Sequence, residues 1–591
     1  MHPRCIIPPT NSHIAISNEQ KRKHVSSKSK VKIAHLAGPN ATIQNSPPLV
    51  TSNKARRKYG LPPRKNADGS DPRFDALRAQ RLAAPATVYV ECFSAHPLEG
   101  DAAELYGPPD GYLDAKGEFH KERSSPHDKP VFEIDILPED GVYPLPYMAR
   151  QTNGQAWEEE CATPGAPAEQ ARQGFYPDGS RSFEEIDRLS IGRAGVGNLI
   201  SSIADLDFYR MLPTGGYTKG LRAALRTDVG EGDIPPETRG KEFFAYKPFH
   251  LNESPPRPSL APLTNAARQI FAGGKYDGAI FTQGSPQVEE TAYWFNLLID
   301  TVVPICGTAA QRPHGEISND GPKNLTDSVE YIASRVWADD HGRNRAGVIV
   351  LQEQQFFAAR EVMKVDARSG GYVATGGHGG ILGGMGTYGE AVLHYVPALK
   401  HTYQSEVNLS KIPFAVPIVR ATGSHIERVE TKIRDTNGDL LEAAIPSVAI
   451  VKDGGYYAEE YFDDPSVTAD LERMVTQKLS ANRLAGFVIE GLTPYAVMTS
   501  AVRQAVLQRA IYAGLPVVRV GRGSPEGFAD PHDYFIAGSN LTSTKARMLL
   551  MACLLKFGSL PPAKDPSNPT AEELALTKKA VAAYQTIFNT H

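Results

Sequence analysis

Apolar and polar positions follow two rhythms along this 591-residue chain. Short runs rich in β-branched residues fit buried strands, and stretches with apolar positions three and four apart fit the helices that cover them. VKIAHLA (31–37) is a run of the first kind, followed by the turn-rich GPNATIQN. From residue 265 the two rhythms alternate. AARQIFAGG (266–274) reads as a helix end with a glycine stop, YDGAIFTQG (276–284) as a strand, and VEETAYWFNLLIDT (288–301) as an amphipathic helix. TVVPICG (301–307), NLTDSVEYIASRVWA (324–338) and AGVIVLQ (346–352) continue as strand, helix and strand. Strands that alternate with helices imply a parallel sheet covered on both faces.

The rhythm breaks twice. Residues from about 50 to 185 carry RRKYGLPPRKNADGSDPR, YGPPDGY and CATPGAPAEQ, all turn chemistry, around one convincing strand, ATVYVECF (86–93). A structureless loop of that length is improbable, so an insertion with structure of its own is expected there. The second break, at 405–445, holds IRDTNGDLLEA, whose Asn-Gly pair suits a linker or a small hairpin. Afterwards IPSVAIVKDG, LAGFVIEGL, YAVMTSAVRQAVLQRAIYAG and LPVVRVGRG restore the alternation, and TAEELALTKKAVAAYQTIF reads as a closing helix. The expected fold class is α/β: a larger N-terminal doubly wound domain with a mostly parallel sheet at 31–404, a linker at 405–445, and a smaller C-terminal α/β domain at 446–560. Residues 1–30 read as a disordered tail and 561–591 as a C-terminal helix.

Composition narrows the partners. Lys+Arg is 63 and Asp+Glu is 67, a net charge of −4, which argues against a surface built to hold nucleic acid. No run of about 18 apolar residues suggests a spanning helix, and the first residues lack the apolar core of a secretory signal. The 5 cysteines are scattered without a CxxC, which suits a reducing compartment; a cytoplasmic location with no membrane partner is expected. GGHGGILGGMG (376–386) lacks the Lys-Ser/Thr of a phosphate loop and reads as a flexible or tightly turning loop. His378 within it has no partner at ligand spacing, so neither a metal nor another cofactor is expected.

Ligands of a parallel sheet bind beyond the carboxyl ends of its strands. The residues there are Thr42 after the first run, Thr282, Gln283, Gly284 and Ser285 after YDGAIF, and Arg360, Glu361 and Lys364 after AGVIVLQ. Hydroxyls near a lysine suit nucleophilic acyl transfer, because a hydroxyl at its free pKa needs a neighbouring base or charge. Thr and Ser at such places also serve as helix N-caps. Glu289 and Glu290 fall in a first helical turn, where negative charge suits the dipole.

Residues 277–325 resemble the core signature of the L-asparaginase/glutaminase family. They run Thr282-Gln283-Gly284-Ser285-Pro286, Glu289-Glu290-Thr291-Ala292, Arg312-Pro313 and Ser318-Asn319-Asp320-Gly321, with Asn324 closing the run. AREVMKVDA (359–367) is similar to the family's lysine segment, IGRAGVGNLISSI (191–203) to the segment before its second strand, and Lys545-Ala546-Arg547 to its terminal motif. The similarity spans about 31–49 and 186–560. It implies an amidohydrolase with Thr42 as nucleophile, Ser285 and Lys364 as catalytic partners, and Tyr59 as the candidate tyrosine of a mobile loop. It implies Ser254, with Glu253 beside it, as substrate-binding, and backbone N–H groups at Gly284–Ser285 for the oxyanion.

Two departures bear on specificity. Pro286 stands where the family has an aspartate that grips the substrate's α-ammonium, and Gly491-Leu492-Thr493-Pro494-Tyr495 replaces an asparagine-rich turn. Removing such anchors removes the preference they create, so a carboxamide or lactam other than free asparagine is expected as the small-molecule substrate. The family assembles as homotetramers in which a neighbouring smaller domain completes each site, which implies a homotetramer or homodimer here; Asp530, His532 and Asp533 lie near that contribution. The alternative is a small-ligand-binding or regulatory homologue without turnover. A role as a tRNA-amidation subunit, also known in the family, has no basic excess to support it.

Overall fold

In the computed structural model, residues 30–38, 65, 69–70, 86–90, 109–115, 118–136, 150–151, 200, 203–210, 256–312, 318–367, 370–374, 380–423, 425–453, 466–492, 495–522 and 534–591 are described. The first apolar run forms β1 (Val31–Ala37). The insertion contributes β2 (Ala86–Val90), β3 (Gly111–Leu113), β4 (Phe119–His120), β5 (Lys129–Ile136) and β6 (Arg150–Gln151), which make a five-stranded sheet of their own in the order β4-β3-β5-β2-β6. β7 (Ala204–Arg210) returns to pair in parallel with β1.

The main sheet then grows on the other side of β1. β8 (Gly278–Thr282), β9 (Ile305–Thr308) and β10 (Val348–Gln352) add in parallel. β11 (Gln355–Ala358), β14 (Ile381–Met385) and β15 (Ala391–Leu393) close the edge antiparallel, while β12 (Val362–Lys364) and β13 (Tyr372–Ala374) form a separate two-stranded hairpin. The eight-stranded order is β15-β14-β11-β10-β9-β8-β1-β7. The chain leaves β1 toward β7 and comes back at β8, so the order reverses between β1 and β8, the place where open α/β sheets bind ligands.

Both faces of this sheet are covered, because its central strands are buried along their whole length. α1 (Leu260–Ala272) and α2 (Gln287–Leu298) pack one face with Ala279, Phe281, Val348 and Val350, and α3 (Gly321–Ser334) packs the other with Ile280, Ile349 and Leu351. This is the doubly wound arrangement that the alternation predicts. Fully buried Trp294 anchors α2, and its indole Nε1 donates to Thr264 Oγ1 of α1 at 2.8 Å.

The segment that breaks the second rhythm holds a regular antiparallel hairpin, β16 (Ala415–Thr422) with β17 (His425–Lys432). The Asn-Gly pair lies after it, in a small turn where Asp435 Oδ1 accepts from the N–H groups of Asn437 and Asp439. The smaller sheet is all parallel, in the order β18 (Ser447–Lys452), β19 (Ala485–Gly491), β20 (Val517–Gly521) and β21 (Ile536–Ala537). Its helices are α4 (Ser466–Ser480), α5 (Ala501–Tyr512), α6 (Ser543–Phe557) and α7 (Ala571–Phe588), the last opened by a capping box between Thr570 and Glu573. One apolar core runs from the α1–α2 face of the main sheet through α6 into the smaller sheet.

The glycine-rich segment departs from expectation. Residues 381–385 are a strand of the main sheet, not a loop. A Cβ on Gly383 would sit 2.0 Å from the Val392 carbonyl oxygen, and one on Gly384 would sit 2.7 Å from that of Gln354. These glycines therefore serve close backbone approach within a sheet. His378 lies outside the described residues. Among the described residues no helix is long and apolar enough to cross a membrane.

Candidate active site

β8 ends at Thr282, and the turn that follows carries Gln283, Gly284 and Ser285 before Pro286 opens α2. Thr282 is buried and faces His35 of β1, with Nε2 to Oγ1 at 2.9 Å. Burial holds the His35 imidazole neutral, with its pKa lowered to about 3. The N–H of Gly38 donates to the Thr282 carbonyl at 2.7 Å, so the chain leaving β1 and the Ser285 turn emerge side by side.

Ser285 Oγ is the meeting point. It accepts from Lys364 Nζ at 3.0 Å and from the Tyr372 hydroxyl at 2.7 Å, across 79 and 87 residues of chain. The hairpin β12–β13 explains how both donors arrive: Lys364 and Tyr372 are directly opposite in its antiparallel register, and opposite residues project to the same face. Ser285 and Lys364 are half-buried, whereas Tyr372 is only 5% exposed. That burial raises the Tyr372 phenol well above its ordinary pKa, opposed by the bond to Ser285 and reinforced by the charges of Glu289 and Asp320. The phenol keeps its proton and acts as a donor.

The hairpin is itself held from α2. Glu289 Oε2 accepts from the backbone N–H of Lys364 at 2.6 Å. Beneath it, the buried Lys545 of α6 donates to the carbonyls of Glu289 at 2.6 Å and Ala359 at 2.7 Å, tying the smaller domain to the site. Desolvation raises the Glu289 carboxyl to about 7, against the pull of Lys545, and desolvation lowers Lys545 to about 8. Glu289 thus does more than complement the helix dipole. Its raised pKa means that the stability it contributes is complete below the unfolded value of 4.5 and is lost as pH rises through about 7. Glu289→Gln, which keeps an acceptor for Lys364, is expected to unfold with a smaller pH dependence between 4.5 and 7 than the parent, as read by urea titrations across that range.

The other strand-end residues form supports. Arg360 Nε donates to the His591 carbonyl at 2.8 Å, its Nη2 to Asn540 Oδ1 at 3.0 Å, and its Nη1 pairs with Glu361 at 2.9 Å. Asp320, 4% exposed, accepts from the N–H groups of Gln311 at 2.9 Å and Arg312 at 2.8 Å and from Asn324 Nδ2 at 3.1 Å, and Gln352 Nε2 also donates to it. Pro286 is exposed and N-caps α2 without a side-chain bond. Gly491 ends β19 and Tyr495 is 62% exposed. Thr42, Tyr59, Glu253 and Ser254 lie outside the described residues, as do Asp530, His532 and Asp533.

The structure therefore brings together Ser285, Lys364 and Gly284 of the residues expected from sequence, and adds Tyr372 and Glu289. A signal for Tyr372 is present: two short apolar runs, VMK and YVA, flank Ser369-Gly370-Gly371, which is hairpin chemistry whose register opposes 364 and 372.

The doubly wound sheet, the reversal of strand order between β1 and β8, and a hydroxyl–lysine pair at that reversal define an α/β protein with a polar site at its topological switch point. Comparison with known proteins narrows the class. The family model "Asparaginase, N-terminal" matches residues 258–382. The chain is 31% identical over 156 residues to a glutaminase-asparaginase of Acinetobacter glutaminasificans, covering 26% of this chain and 44% of that protein. It is 28% identical over 236 residues to a probable periplasmic L-asparaginase of Haemophilus influenzae, covering 37% of this chain and 63% of that one. A solved structure of a probable cytoplasmic L-asparaginase from Campylobacter jejuni aligns at 20% identity and a TM-score of 0.42, over 68% of this chain and 97% of that one. Residues 258–382 are thus similar to the N-terminal region of asparaginases, and the chain spans about half the length of the curated relatives it matches.

Proposed function

We propose that this protein hydrolyses the C–N bond of a small carboxamide or lactam through a threonyl acyl-enzyme. The observation that carries the reading is the 3.0 Å contact between Ser285 Oγ and Lys364 Nζ at the reversal of strand order. Thr42, four residues beyond Gly38, is the proposed nucleophile, and Ser285 and Lys364 are proposed to carry its proton away. Thr42 Oγ bonds to the amide carbon, the oxyanion is met by backbone N–H groups at Gly284–Ser285, and the nitrogen leaves with the returned proton. Water then cleaves the ester. Tyr59 closing over the site, Ser254 and Glu253 holding the substrate, and assembly as a homotetramer or homodimer belong to the same proposal.

Pro286 supports a specificity shifted away from free asparagine, since a ring without acceptor or charge caps the helix where an amine would need a carboxylate. The test is ammonia or amine release from a panel of amides and lactams, with Thr42→Ala as control. Turnover of an amide lacking the α-amine faster than of asparagine is the expected result. A parent rate no higher than that of the variant across the panel overturns the reading. Stabilisation by a small acid without turnover then favours a ligand-binding homologue, which the loss of the carboxylate at 286 would also suit.

A further inference from the structure

We propose that Tyr372 is a catalytic residue, a second donor to Ser285 Oγ that makes this hydroxyl an activated one; the proposal deepens the reading above for the same site. A hydroxyl oxygen has two acceptor lone pairs and one proton. Lys364 Nζ occupies one lone pair of Ser285 at 3.0 Å and the Tyr372 O–H occupies the other at 2.7 Å. When Nζ is the free amine, the serine O–H turns to its lone pair and can pass the proton across that 3.0 Å contact, while the bond from Tyr372 stays in place. When it does, the oxygen that stays behind already faces two donors, so negative charge there meets a prepared environment and needs no reorganisation.

The Ser285 proton passes to Lys364 in its free-amine form, the proton of the attacking hydroxyl passes to Ser285, and the attacking oxygen bonds to the carbonyl carbon. The C–N bond breaks, and the proton held by Lys364 returns through Ser285 to the leaving nitrogen. Tyr372 transfers nothing. Its proton stays on the phenol throughout, and its bond to Oγ strengthens while that oxygen carries charge.

The surroundings fit a donor rather than a base. Lys364 faces Tyr372 from the paired strand, Glu289 approaches from α2 and Asp320 from the start of α3. Both carboxylates and burial favour the protonated phenol, and the contact with Ser285 favours the ionised one. A hydrogen bond from an uncharged donor to an oxygen that becomes charged is worth about 10–100-fold in rate.

The test reads Ser285 directly, without relying on amide turnover. Diisopropyl fluorophosphate is applied to the full-length protein, and labelling of Ser285 is followed by peptide mass spectrometry. In that reaction the Oγ–P bond forms, the P–F bond breaks, fluoride leaves, and the serine proton goes to Lys364 or solvent. Tyr372→Phe keeps the buried ring and is expected to label about 10–100-fold more slowly. Tyr388→Phe, at a tyrosine 74% exposed, is expected to label at the parent rate. Site-specific 3,5-difluorotyrosine at 372 retains the donor with a more acidic phenol. It is expected to keep labelling fast and to move the alkaline limb of the pH profile to lower pH, which a purely structural role would not do. Difluorotyrosine also decides the matter if the Phe variant fails to fold.

Labelling of Tyr372→Phe at the parent rate, an unshifted pH profile for the fluorinated protein, or a parent that labels Ser285 no faster than the heat-denatured chain overturns the proposal. If labelling responds as expected while no amide in the panel is hydrolysed, the proposed reaction fails and Tyr372 stands. If amides are hydrolysed and neither labelling nor kcat responds to Tyr372→Phe, Tyr372 fails and the reaction stands.

Discussion

Lys364→Met is expected to lower kcat/KM for the best amide substrate by about 10³–10⁴-fold while leaving the fold intact. Methionine keeps most of the aliphatic length, so the half-buried stem still packs against its neighbours. The backbone N–H of Lys364 still donates to Glu289 Oε2, because that bond does not involve the side chain. What disappears is the nitrogen 3.0 Å from Ser285 Oγ. Without it the serine retains the Tyr372 donor but loses the amine that accepts its proton. The expected signature is a fall in kcat with little change in KM, since Lys364 meets the serine rather than the substrate. The comparison of Lys364→Met with Tyr372→Phe separates the two donors: loss of the lysine should cost at least tenfold more. A Lys364→Met protein that turns over within threefold of the parent, with unchanged circular dichroism, would remove the lysine from the mechanism and with it the case for hydroxyl activation at this site.

The main sheet was legible in the chain because it rests on local pattern, whereas the pairing of Ser285 with Lys364 was marked by the resemblance to the asparaginase/glutaminase family. β8, β9 and β10 are short apolar runs bounded by turn residues, and each helix between them shows its apolar face. Strand ends in a parallel sheet mark where chemistry can sit, and the residues after β8 fall at one such end, whereas Lys364 reaches it from the separate β12–β13 hairpin. Tyr372 was not singled out because its approach to Ser285 depends on hairpin register, which one residue of slip would abolish by turning the side chain to the other face. Glu289 read as a helix-dipole residue since its sequence neighbours contain nothing for its carboxylate to bind; its partner is 75 residues away. α6 carried a recognised motif but no helical stripe, because Met548 through Leu555 are all buried between the two sheets and a helix apolar on every side has no amphipathic period. The strand at 381–385 was obscured by its glycines, which elsewhere mark loops and here permit backbones to approach across β14.

Asp320→Ala is expected to destabilise the protein by about 3–5 kcal/mol, the largest single effect on stability among the residues around the site. The carboxylate is 4% exposed and gathers four donors: the backbone N–H groups of Gln311 and Arg312 from the segment after β9, Asn324 Nδ2 from α3, and Gln352 Nε2 from the end of β10. Alanine leaves all four without this acceptor, and each buried donor left unmade costs about 1–3 kcal/mol before relaxation. The loss spreads through the cluster. Asn324 also donates to the Ala309 carbonyl at 2.8 Å and accepts from the Glu353 N–H at 3.0 Å, and Glu353 in turn pairs with Arg312 at 2.7 Å. Removing the centre therefore loosens the ends of β9 and β10 together. Asp320→Asn distinguishes charge from shape. Its oxygen can still accept from the two backbone groups, but its Nδ2 then faces Asn324 and Gln352, donor against donor, so it is expected to lie between the parent and alanine rather than near the parent. Urea unfolding at constant pH measures the order. An Asp320→Ala protein within about 1 kcal/mol of the parent would mean that water replaces the carboxylate at no net cost, and the site's rigidity would then have to come from the hairpin and Glu289 alone.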